Sequence, residues 1–309
     1  MMKKMIATAL VTTTLLTGVL APSAGAAQAK IVRSDMPIEV LYDARKIIFD
    51  VKPKMVSGSV LVPIRFVSDK LGGQLTVSGK DITIVKGNRT LKLTMNSKAA
   101  SFNGTAVTLA QPAMVENGRT LVPLRAVSEG LGTAVEWDGV NKFVWIGSKE
   151  VPLLVDIVKP VDIKPYEHYY KNREYLMTFL GKKYTQAYVI EDKDLPFKVR
   201  DVDYLRMDMA YDQTNAEYLR FSTTLTGSAG MLTYLLAKDE EARSRPENAF
   251  LMESFDNWIR VRYTTFKDER YDRNRNHPSP SGFNLKKVDY IGLGEDLEGA
   301  ILIKNKWRK

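Results

Sequence analysis

Two stretches of the chain, sixty residues apart, have nearly the same pattern of apolar and polar positions. They are GSVLVPIRFVSDKLGG at residues 58–73 and GRTLVPLRAVSEGLGT at residues 118–133. In each stretch a short β-prone run ends at a proline, and apolar residues then recur at the spacing of one helix face. Both stretches therefore predict a strand that passes directly into a short helix.

The residues at the two ends of each predicted helix support this interpretation. Pro63 and Pro123 stand where the strand passes into the helix, and a proline suits the first helical position because its missing N–H would have no partner there. Gly72 and Gly132 stand where each helix ends, and glycine suits the left-handed residue that ends one. We therefore treat these four residues as structural.

Hairpin turns flank the helices. Asn103-Gly104 and Asn117-Gly118 are strong signals for a two-residue turn, because both central positions of a type I′ turn require positive φ. Strand-like runs follow at residues 134–137 and 142–146, and the first of them ends at Trp137, which we treat as structural together with Asn117 and Gly118. Each copy then predicts a short helix on a small antiparallel sheet, which needs such a cover to be stable.

The likeness between the copies extends beyond the quoted stretches. A constant shift of sixty residues also places Tyr42 on Phe102 and Ile47 on Val107, without a gap. Such a fixed period indicates internal duplication. We predict tandem copies at about residues 38–97 and 98–148, within one repeat region at residues 36–148.

These motifs resemble those of a known family. The order L-V-P-[IL]-R, then V-S-[DE]-x-L-G, then a strand ending near W-D resembles the N-terminal stalk domain of copper amine oxidases, which occurs in many secreted proteins of Gram-positive bacteria. The first copy departs from this pattern, since Val77-Ser78 replaces the pair seen at Trp137-Asp138. The resemblance implies a compact helix-on-sheet module that is an appendage and not a catalytic unit.

The family name does not imply copper chemistry in this chain. The catalytic domain of copper amine oxidases needs three histidine ligands and a tyrosine in an Asn-Tyr context. This chain has two histidines, His168 and His277, and no cysteine or Asn-Tyr dipeptide. We predict no cofactor and no metal site.

Arg65 and Arg125 occupy equivalent positions at the starts of the two predicted helices. Asp69 and Glu129, four residues further on, are natural ion-pair partners, which favours a structural role. If the arginines bind a ligand, fork geometry favours a carboxylate or a phosphate.

After residue 148 the pattern changes. Residues 149–165 contain three prolines and predict an extended linker. Residues 166–309 predict a separate α+β domain, mostly antiparallel β, so the fold class of the whole chain is α+β. Within it, residues 166–180 predict a helix and residues 268–281 an exposed loop.

One predicted strand of this domain is a candidate for ligand contact. In WIRVRY the arginines alternate with apolar residues, which predicts that Arg260 and Arg262 lie on a solvent-facing side beside Trp258. We take these three residues as binding candidates together with Arg65 and Arg125.

The N-terminus predicts export. A short basic segment, an apolar run and small residues at two A-x-A sites are typical of a signal peptide, here residues 1–26, with cleavage after Ala26 or Ala29. The apolar run of about 16 residues is shorter than the roughly 20 that cross a bilayer. We expect a secreted or cell-wall-associated protein without a transmembrane anchor after cleavage.

Basic charge is concentrated in the repeat region. Residues 27–149 have 17 Lys and Arg against 10 Asp and Glu, a net charge of +7, whereas residues 150–309 have 26 of each. The excess indicates either a solvated surface or attraction to an anionic polymer of the envelope. Export and the neutral second half disfavour nucleic acid as a partner.

Two functional hypotheses remain open at this point. The first is a non-catalytic envelope protein in which the stalk-like region is a basic spacer or wall contact, and the second half binds a ligand, a polymer or another envelope protein. The alternative is a secreted hydrolase with its catalytic domain at residues 160–309. A glycosidase would need two carboxylates about 5–10 Å apart, and the candidates are Glu191, Asp192, Asp194, Asp201 and Asp203.

Overall fold

The computed structural model describes residues 29–224, 233–245, 252–255, 259–277, 283–294 and 297–308, and of residues 66–68 the backbone alone. The predicted signal peptide and Trp258 lie outside the described residues. The described chain is strand-rich, with few helices and several antiparallel sheets, as the alternating patterns predict. None of its helices is long and apolar enough to cross a membrane.

Strands of the N-terminal half are short. They are β1 (Ile31–Asp35), β2 (Glu39–Tyr42), β3 (Arg45–Lys46), β4 (Lys54–Val56), β5 (Ser59–Pro63), β6 (Gln74–Ser78), β7 (Asp81–Lys86), β8 (Arg89–Thr94), β9 (Ala99–Phe102), β10 (Thr105–Thr108), β11 (Met114–Glu116), β12 (Arg119–Pro123), β13 (Val135–Asp138) and β14 (Phe143–Ile146). Two helices follow strands β5 and β12 directly: α1 (Ile64–Leu71) and α2 (Leu124–Gly130).

The C-terminal half contains longer strands and short helical turns. Its strands are β15 (Val161–Asp162), β16 (Thr178–Phe179), β17 (Lys182–Lys183), β18 (Gln186–Ile190), β19 (Phe197–Val199), β20 (Val202–Asp212), β21 (Glu217–Thr223), β22 (Thr233–Leu236), β23 (Arg243–Arg245), β24 (Glu253–Ser254), β25 (Arg260–Thr265), β26 (Tyr290–Leu293) and β27 (Ala300–Lys304). Its helices are α3 (Leu154–Ile157), α4 (Glu269–Asn274) and the 3₁₀ turns Lys164–Tyr170, Glu174–Met177, Asp192–Asp194 and Leu285–Lys287.

The two predicted hairpin–helix units do not form separate sheets, and this corrects the expectation of one sheet for each copy. Strands β5 and β12 pair antiparallel with Val62 directly opposite Val122, so the hairpins join in one four-stranded sheet, β11-β12-β5-β4. Helix α1 packs on β12 and helix α2 packs on β5. A hairpin with strands of three to five residues is too small to bury an apolar face alone. Pairing with the second hairpin makes a four-stranded sheet that is large enough to do so.

Two further sheets enclose the same core. The first has the order β13-β14-β2-β3, with β14 parallel to β2, and the second is the five-stranded sheet β10-β9-β8-β7-β6. Buried residues from all three sheets and both helices meet in one cluster, among them Val62, Val122, Ile84, Leu91 and Val144. We call the part of the chain that builds this core, residues 36–148, the N-terminal module.

The C-terminal half is a β-sandwich. Its first sheet has the order β1-β20-β21-β25-β24, with β19 paired to β20, and its second has the order β15-β18-β27-β26-β22-β23. The core between them includes Met207, Phe221, Ile291 and Ile303. Tyrosines of the segment that was predicted as a helix over residues 166–180 cover the outer face of the second sheet. That segment forms two 3₁₀ turns and a short strand instead of one helix.

The segment at residues 149–165 is not an extended linker. Val151, Leu154 and Ile163 are each at most 5% exposed, and Leu154 belongs to the sandwich core. Strand β1, near the start of the chain, pairs with β20 of the sandwich, so the two halves also share a sheet. Apolar residues at the ends and in the middle of the segment let it pack as it crosses between the halves.

A buried ionic contact joins the module to the first sheet of the sandwich. Arg206 is 2% exposed, and its guanidinium donates to Asp208 Oδ2 at 2.5 Å, to the carbonyl of Asn141 at 2.7 Å and to the carbonyl of Pro37 at 2.8 Å. Beside it, Arg220 donates to the carbonyl of Val140 at 2.9 Å. Buried guanidiniums are tolerated only with such partners, so these contacts hold the halves in one arrangement.

Candidate functional site

A groove of about 540 Å³ opens on the N-terminal module, where the β4–β5 turn, the start of α2, the β9–β10 hairpin and β13 come together. Its floor is apolar and includes Val60, Leu109 and Val144. Arg125 and Trp137 also line it. Apolar walls with a few polar groups are typical of ligand pockets of this size. We call it the first groove.

Arg125 forms the ion pair that its spacing predicts. Its Nε lies 3.7 Å from Glu129 Oε1, one turn further along α2, and both side chains are more than half exposed. Exposed pairs at this spacing stabilise a helix by about 0.3–0.5 kcal/mol, so the pair leaves both groups available to a ligand. Arg65, at the equivalent position of α1, is exposed on the module surface.

The structural residues of the motif occupy the expected places. Gly72 and Gly132 have φ of +73° and +79° just after their helices, and Asn117 and Gly118 have φ of +48° and +71° in the β11–β12 turn. Both prolines close a strand one residue before the helix begins, which places Pro123 at the N-cap and not at the first helical position. Trp137 stands in β13 and is 37% exposed.

The strand predicted to present arginines to solvent does not do so. Arg262 is 2% exposed and β25 lies inside the first sheet of the sandwich, paired on both sides. The interpretation of Arg262 as a solvent-facing residue is wrong. Residues on both faces of this strand are buried, so the alternation of polar and apolar residues does not indicate a solvent-exposed side. Arg260 is half-buried at the start of the same strand.

A second cavity, of about 450 Å³, lies where the module meets the sandwich. We call it the second groove. Trp137 lines it as well as the first groove, so the indole is common to both. The second groove is also lined by the acids Glu136, Asp138 and Asp203 and by the base Lys149.

A basic surface that the sequence patterns did not single out lies on the five-stranded sheet. Ile82, Ile84, Leu91 and Leu93 bury one face of this sheet in the core. On the opposite face, Lys92 stands between Thr83 and Ser101 on the neighbouring strands. The directly opposite residues across the strands are Thr76↔Thr83, Thr83↔Lys92, Lys92↔Ser101 and Ser101↔Ala106.

Two further exposed lysines lie in the connections between strands of this sheet. Lys80 precedes β7 and Lys98 precedes β9, and both residues are exposed. The carbonyl of Lys80 accepts from the backbone N–H of Met95, just after β8, so both connections lie at the same end of the sheet. Together with Lys92 they define what we call the Lys92 face. None of the three lysines forms an ion pair with any residue that the structure describes. Asp81, the acid nearest in sequence to Lys80, accepts a hydrogen bond from Thr94 Oγ1 at 2.9 Å.

At least half of the fourteen other basic side chains in residues 27–149 are engaged. Seven of them lie within 4.0 Å of a carboxylate, in the pairs Arg33–Asp35, Arg45–Asp194, Lys46–Asp192, Lys54–Glu116, Arg119–Asp50, Arg125–Glu129 and Lys149–Glu136. The local excess of basic residues is visible in the sequence, because residues 70–98 contain six Lys and Arg and one acid. The sequence does not show which of the basic residues form ion pairs, because most of their acidic partners are distant in the chain.

The acids proposed for a glycosidase are tied to lysines. Glu191 forms hydrogen bonds with Lys193 and Lys304, which lower its pKa to about 2. Burial raises the pKa of Asp192, but Lys46 and Lys306 lower it by more, so the net shift is downward. A general acid at neutral pH needs the opposite shift, so these two carboxylates are suited to ion pairing.

The remaining candidate acids do not gather around a common point. Asp194 accepts from the backbone N–H of Glu191 at 2.8 Å in a capping box, and Asp203 lies 3.4 Å from Lys198. Asp203 lines the second groove, whereas Asp201 lies in an exposed turn. Among the described residues no group of three or more His, Asp or Glu side chains is arranged to hold a metal ion.

Comparison with known proteins bears on the N-terminal module alone. Searches of curated proteins and of solved structures found no match. A scan against protein-family models found one, and it confirms the resemblance for the N-terminal module: residues 41–146 match the copper amine oxidase N-terminal domain.

Proposed function

We propose that the protein is a non-catalytic, exported protein of the cell envelope, and that its N-terminal module contacts an anionic cell-wall polymer through the Lys92 face. The observation that supports this proposal is the group of three exposed lysines on and beside the five-stranded sheet, none of which pairs with a described carboxylate. The match to a stalk domain agrees with a spacer or contact role for this module. The C-terminal sandwich would bind a further ligand, polymer or partner.

The physical basis is electrostatic. Lysine ammonium groups that are not engaged by protein carboxylates attract phosphates or carboxylates of a polymer, and binding releases the counterions of that polymer. Hydroxyls of Thr83 and Ser101 beside Lys92 add hydrogen-bond donors on the same flat surface. Because the Debye length is about 10 Å at 0.1 M salt and about 3 Å at 1 M, the attraction should weaken strongly as salt rises.

The test is cosedimentation of the protein with purified Gram-positive cell walls at low and high salt. We expect pelleting at low salt that is lost at high salt. Reversing the three charges of the Lys92 face, with Lys80→Glu, Lys92→Glu and Lys98→Glu together, should reduce the apparent affinity at low salt by about tenfold or more. Walls from which the phosphate-containing polymers have been extracted should bind the unaltered protein less.

A matched control makes the same change in net charge on the C-terminal half. Lys159, Lys171 and Lys182 are exposed and form no ion pair with a described residue, so Lys159→Glu, Lys171→Glu and Lys182→Glu together should retain most of the wall binding. Equal losses in both triple variants would mean that net charge alone, and not the Lys92 face, governs the contact. Pelleting that does not change with salt would contradict the proposal.

A further inference from the structure

Trp137 separates two adjoining grooves, and this arrangement offers a track for a linear ligand. The indole lines the first groove of about 540 Å³ on one side and the second groove of about 450 Å³ on the other. The side chain is 37% exposed although it belongs to a paired strand. A ligand that lies across Trp137 would contact both grooves at once.

The fold itself does not require an indole at this position. Sixty residues earlier, Val77 occupies the equivalent place in β6 and is 49% exposed. Both strands form the outer member of an antiparallel pair, β13 with β14 and β6 with β7. A large aromatic side chain that the equivalent strand lacks, left partly exposed between two grooves, points to a role in contact with a ligand.

The first groove is amphiphilic. Its floor of Val60, Leu109 and Val144 accepts small apolar groups, and Ser59 and Thr108 place hydroxyls among the lining residues. A sugar ring has one or two apolar faces, which suit an indole, and a rim of hydroxyls, which suit such polar groups. Acetyl methyl groups of an N-acetylated sugar would in addition fill the aliphatic floor.

The second groove disfavours a polyanion. It is lined by Glu136, Asp138 and Asp203, and its one base, Lys149, is held by both carboxylate oxygens of Glu136 at 2.8 Å. Carboxylates accept hydrogen bonds from sugar hydroxyls but repel phosphates and other carboxylates. The ligand of this track should therefore carry no net negative charge, in contrast to the polymer proposed for the Lys92 face.

We propose that the track formed by the two grooves and Trp137 binds a linear, uncharged glycan built of N-acetylated sugars. The glycan lies with a sugar ring against the indole of Trp137. Its acetyl methyls contact the aliphatic floor of the first groove, and its hydroxyls donate to the acids of the second.

Isothermal titration of the whole protein with chitohexaose tests this site. We expect binding that changes little between low and high salt, since the ligand is uncharged. Trp137→Val, which copies the residue of the equivalent strand, should weaken the affinity by about tenfold or more. Thr108→Trp, on an exposed strand position that lines the first groove, should weaken it by filling the groove.

Controls separate this site from the proposed wall contact. Tyr175→Val removes an aromatic side chain that is 57% exposed and lines neither groove, so it should leave the affinity unchanged. The triple charge reversal of the Lys92 face should also leave chitohexaose binding unchanged. Thermal unfolding of each variant shows whether it is folded.

Three outcomes would overturn the inference. They are absence of chitohexaose binding, unchanged affinity in folded Trp137→Val and Thr108→Trp proteins, and equal binding of cellohexaose, which lacks the acetyl groups.

Discussion

The two halves of the molecule use charge in opposite ways. In the sandwich, the carboxylate of Asp272 is fully buried and accepts from Arg243 at 2.7 Å and from Arg245 at 2.8 and 2.9 Å. In the module, the lysines of the Lys92 face are exposed and pair with no described residue. Residues 150–309 have 26 basic and 26 acidic residues, whereas residues 27–149 have an excess of +7.

This difference shows which charges are part of the fold and which are free for other contacts. A buried guanidinium without a partner is very costly, so Arg243 and Arg245 require the carboxylate of Asp272 at a fixed place. An exposed ammonium is well solvated and imposes no such requirement. Charge of the second kind can change without loss of the fold, and is therefore the kind that can serve binding.

The largest expected effect comes from breaking the buried cluster. Asp272→Asn keeps the shape of the side chain but removes the charge that two buried arginines share. We expect the free energy of unfolding to fall by about 3–5 kcal/mol, the usual cost of leaving a buried charge without its partner. Urea denaturation followed by circular dichroism measures this change.

The matched control is on the exposed surface of the module. Lys92→Gln removes a charge that has no described partner, and the free energy of unfolding should change by no more than about 0.5 kcal/mol. A similar loss in both variants would contradict the contrast between the two halves.

An intermediate effect is expected where the halves meet. The side chain of Lys46 is 6% exposed, and its Nζ lies 3.0 Å from Asp192 Oδ2 of the sandwich and 3.1 Å from Glu39 Oε2 of the module. Lys46→Met keeps the aliphatic stem but leaves both carboxylates with one partner fewer. We expect a loss of about 2 kcal/mol in urea denaturation.

A neighbouring pair supplies the comparison for Lys46. Lys149 is about half exposed and pairs with Glu136, so Lys149→Met should cost no more than about 1 kcal/mol. If the two substitutions cost the same, burial would not be the reason for the difference.

The local parts of this architecture could be predicted from the sequence, and the long-range parts could not. Residue pairs such as Asn117-Gly118 determine a turn through their own backbone preferences, so the hairpins and the helices after Pro63 and Pro123 were predictable. Helix α4 had one local signal, since Asp268 accepts from the backbone N–H of Tyr271 at its start, yet its polar composition favoured a loop. The alternation of polar and apolar residues around Arg262 led to a wrong prediction of exposure, because a strand in a sheet that is covered on both faces has no solvent-exposed side.

Contacts between distant segments left no trace in local patterns. The pairing of Val62 with Val122 joins two hairpins that each look self-sufficient, and Arg206 reaches carbonyls of Pro37 and Asn141 far away in the chain. The Lys92 face depends on which acids lie near each lysine, and that is a property of the fold. Trp137 was predicted as a structural residue. Its place between two grooves could not be predicted, because the second groove is formed by residues from both halves of the molecule.

The smallest expected effect concerns acid pH and separates exposed from buried pairing of two neighbouring carboxylates, Glu191 and Asp192. Hydrogen bonds from Lys193 and Lys304 lower the pKa of Glu191 from 4.5 to about 2. Because the pKa is lower in the folded state, the pair stabilises the protein above about pH 4.5, and this stabilisation is lost as the pH falls towards 2. Lys304→Gln should raise the pKa of Glu191 towards 4.5, which an NMR titration of its carboxyl carbon measures.

Salt distinguishes this exposed pair from its buried neighbour. The groups around Glu191 are open to solvent, so high salt should raise its pKa in the unaltered protein. The lowered pKa of Asp192, which lies between Lys46 and Lys306, should respond less to salt because Lys46 is almost fully buried. An equal response of the two carboxyls to salt would mean that the boundary between the halves is as accessible to ions as the surface, and the contrast drawn between buried and exposed charge would not hold there.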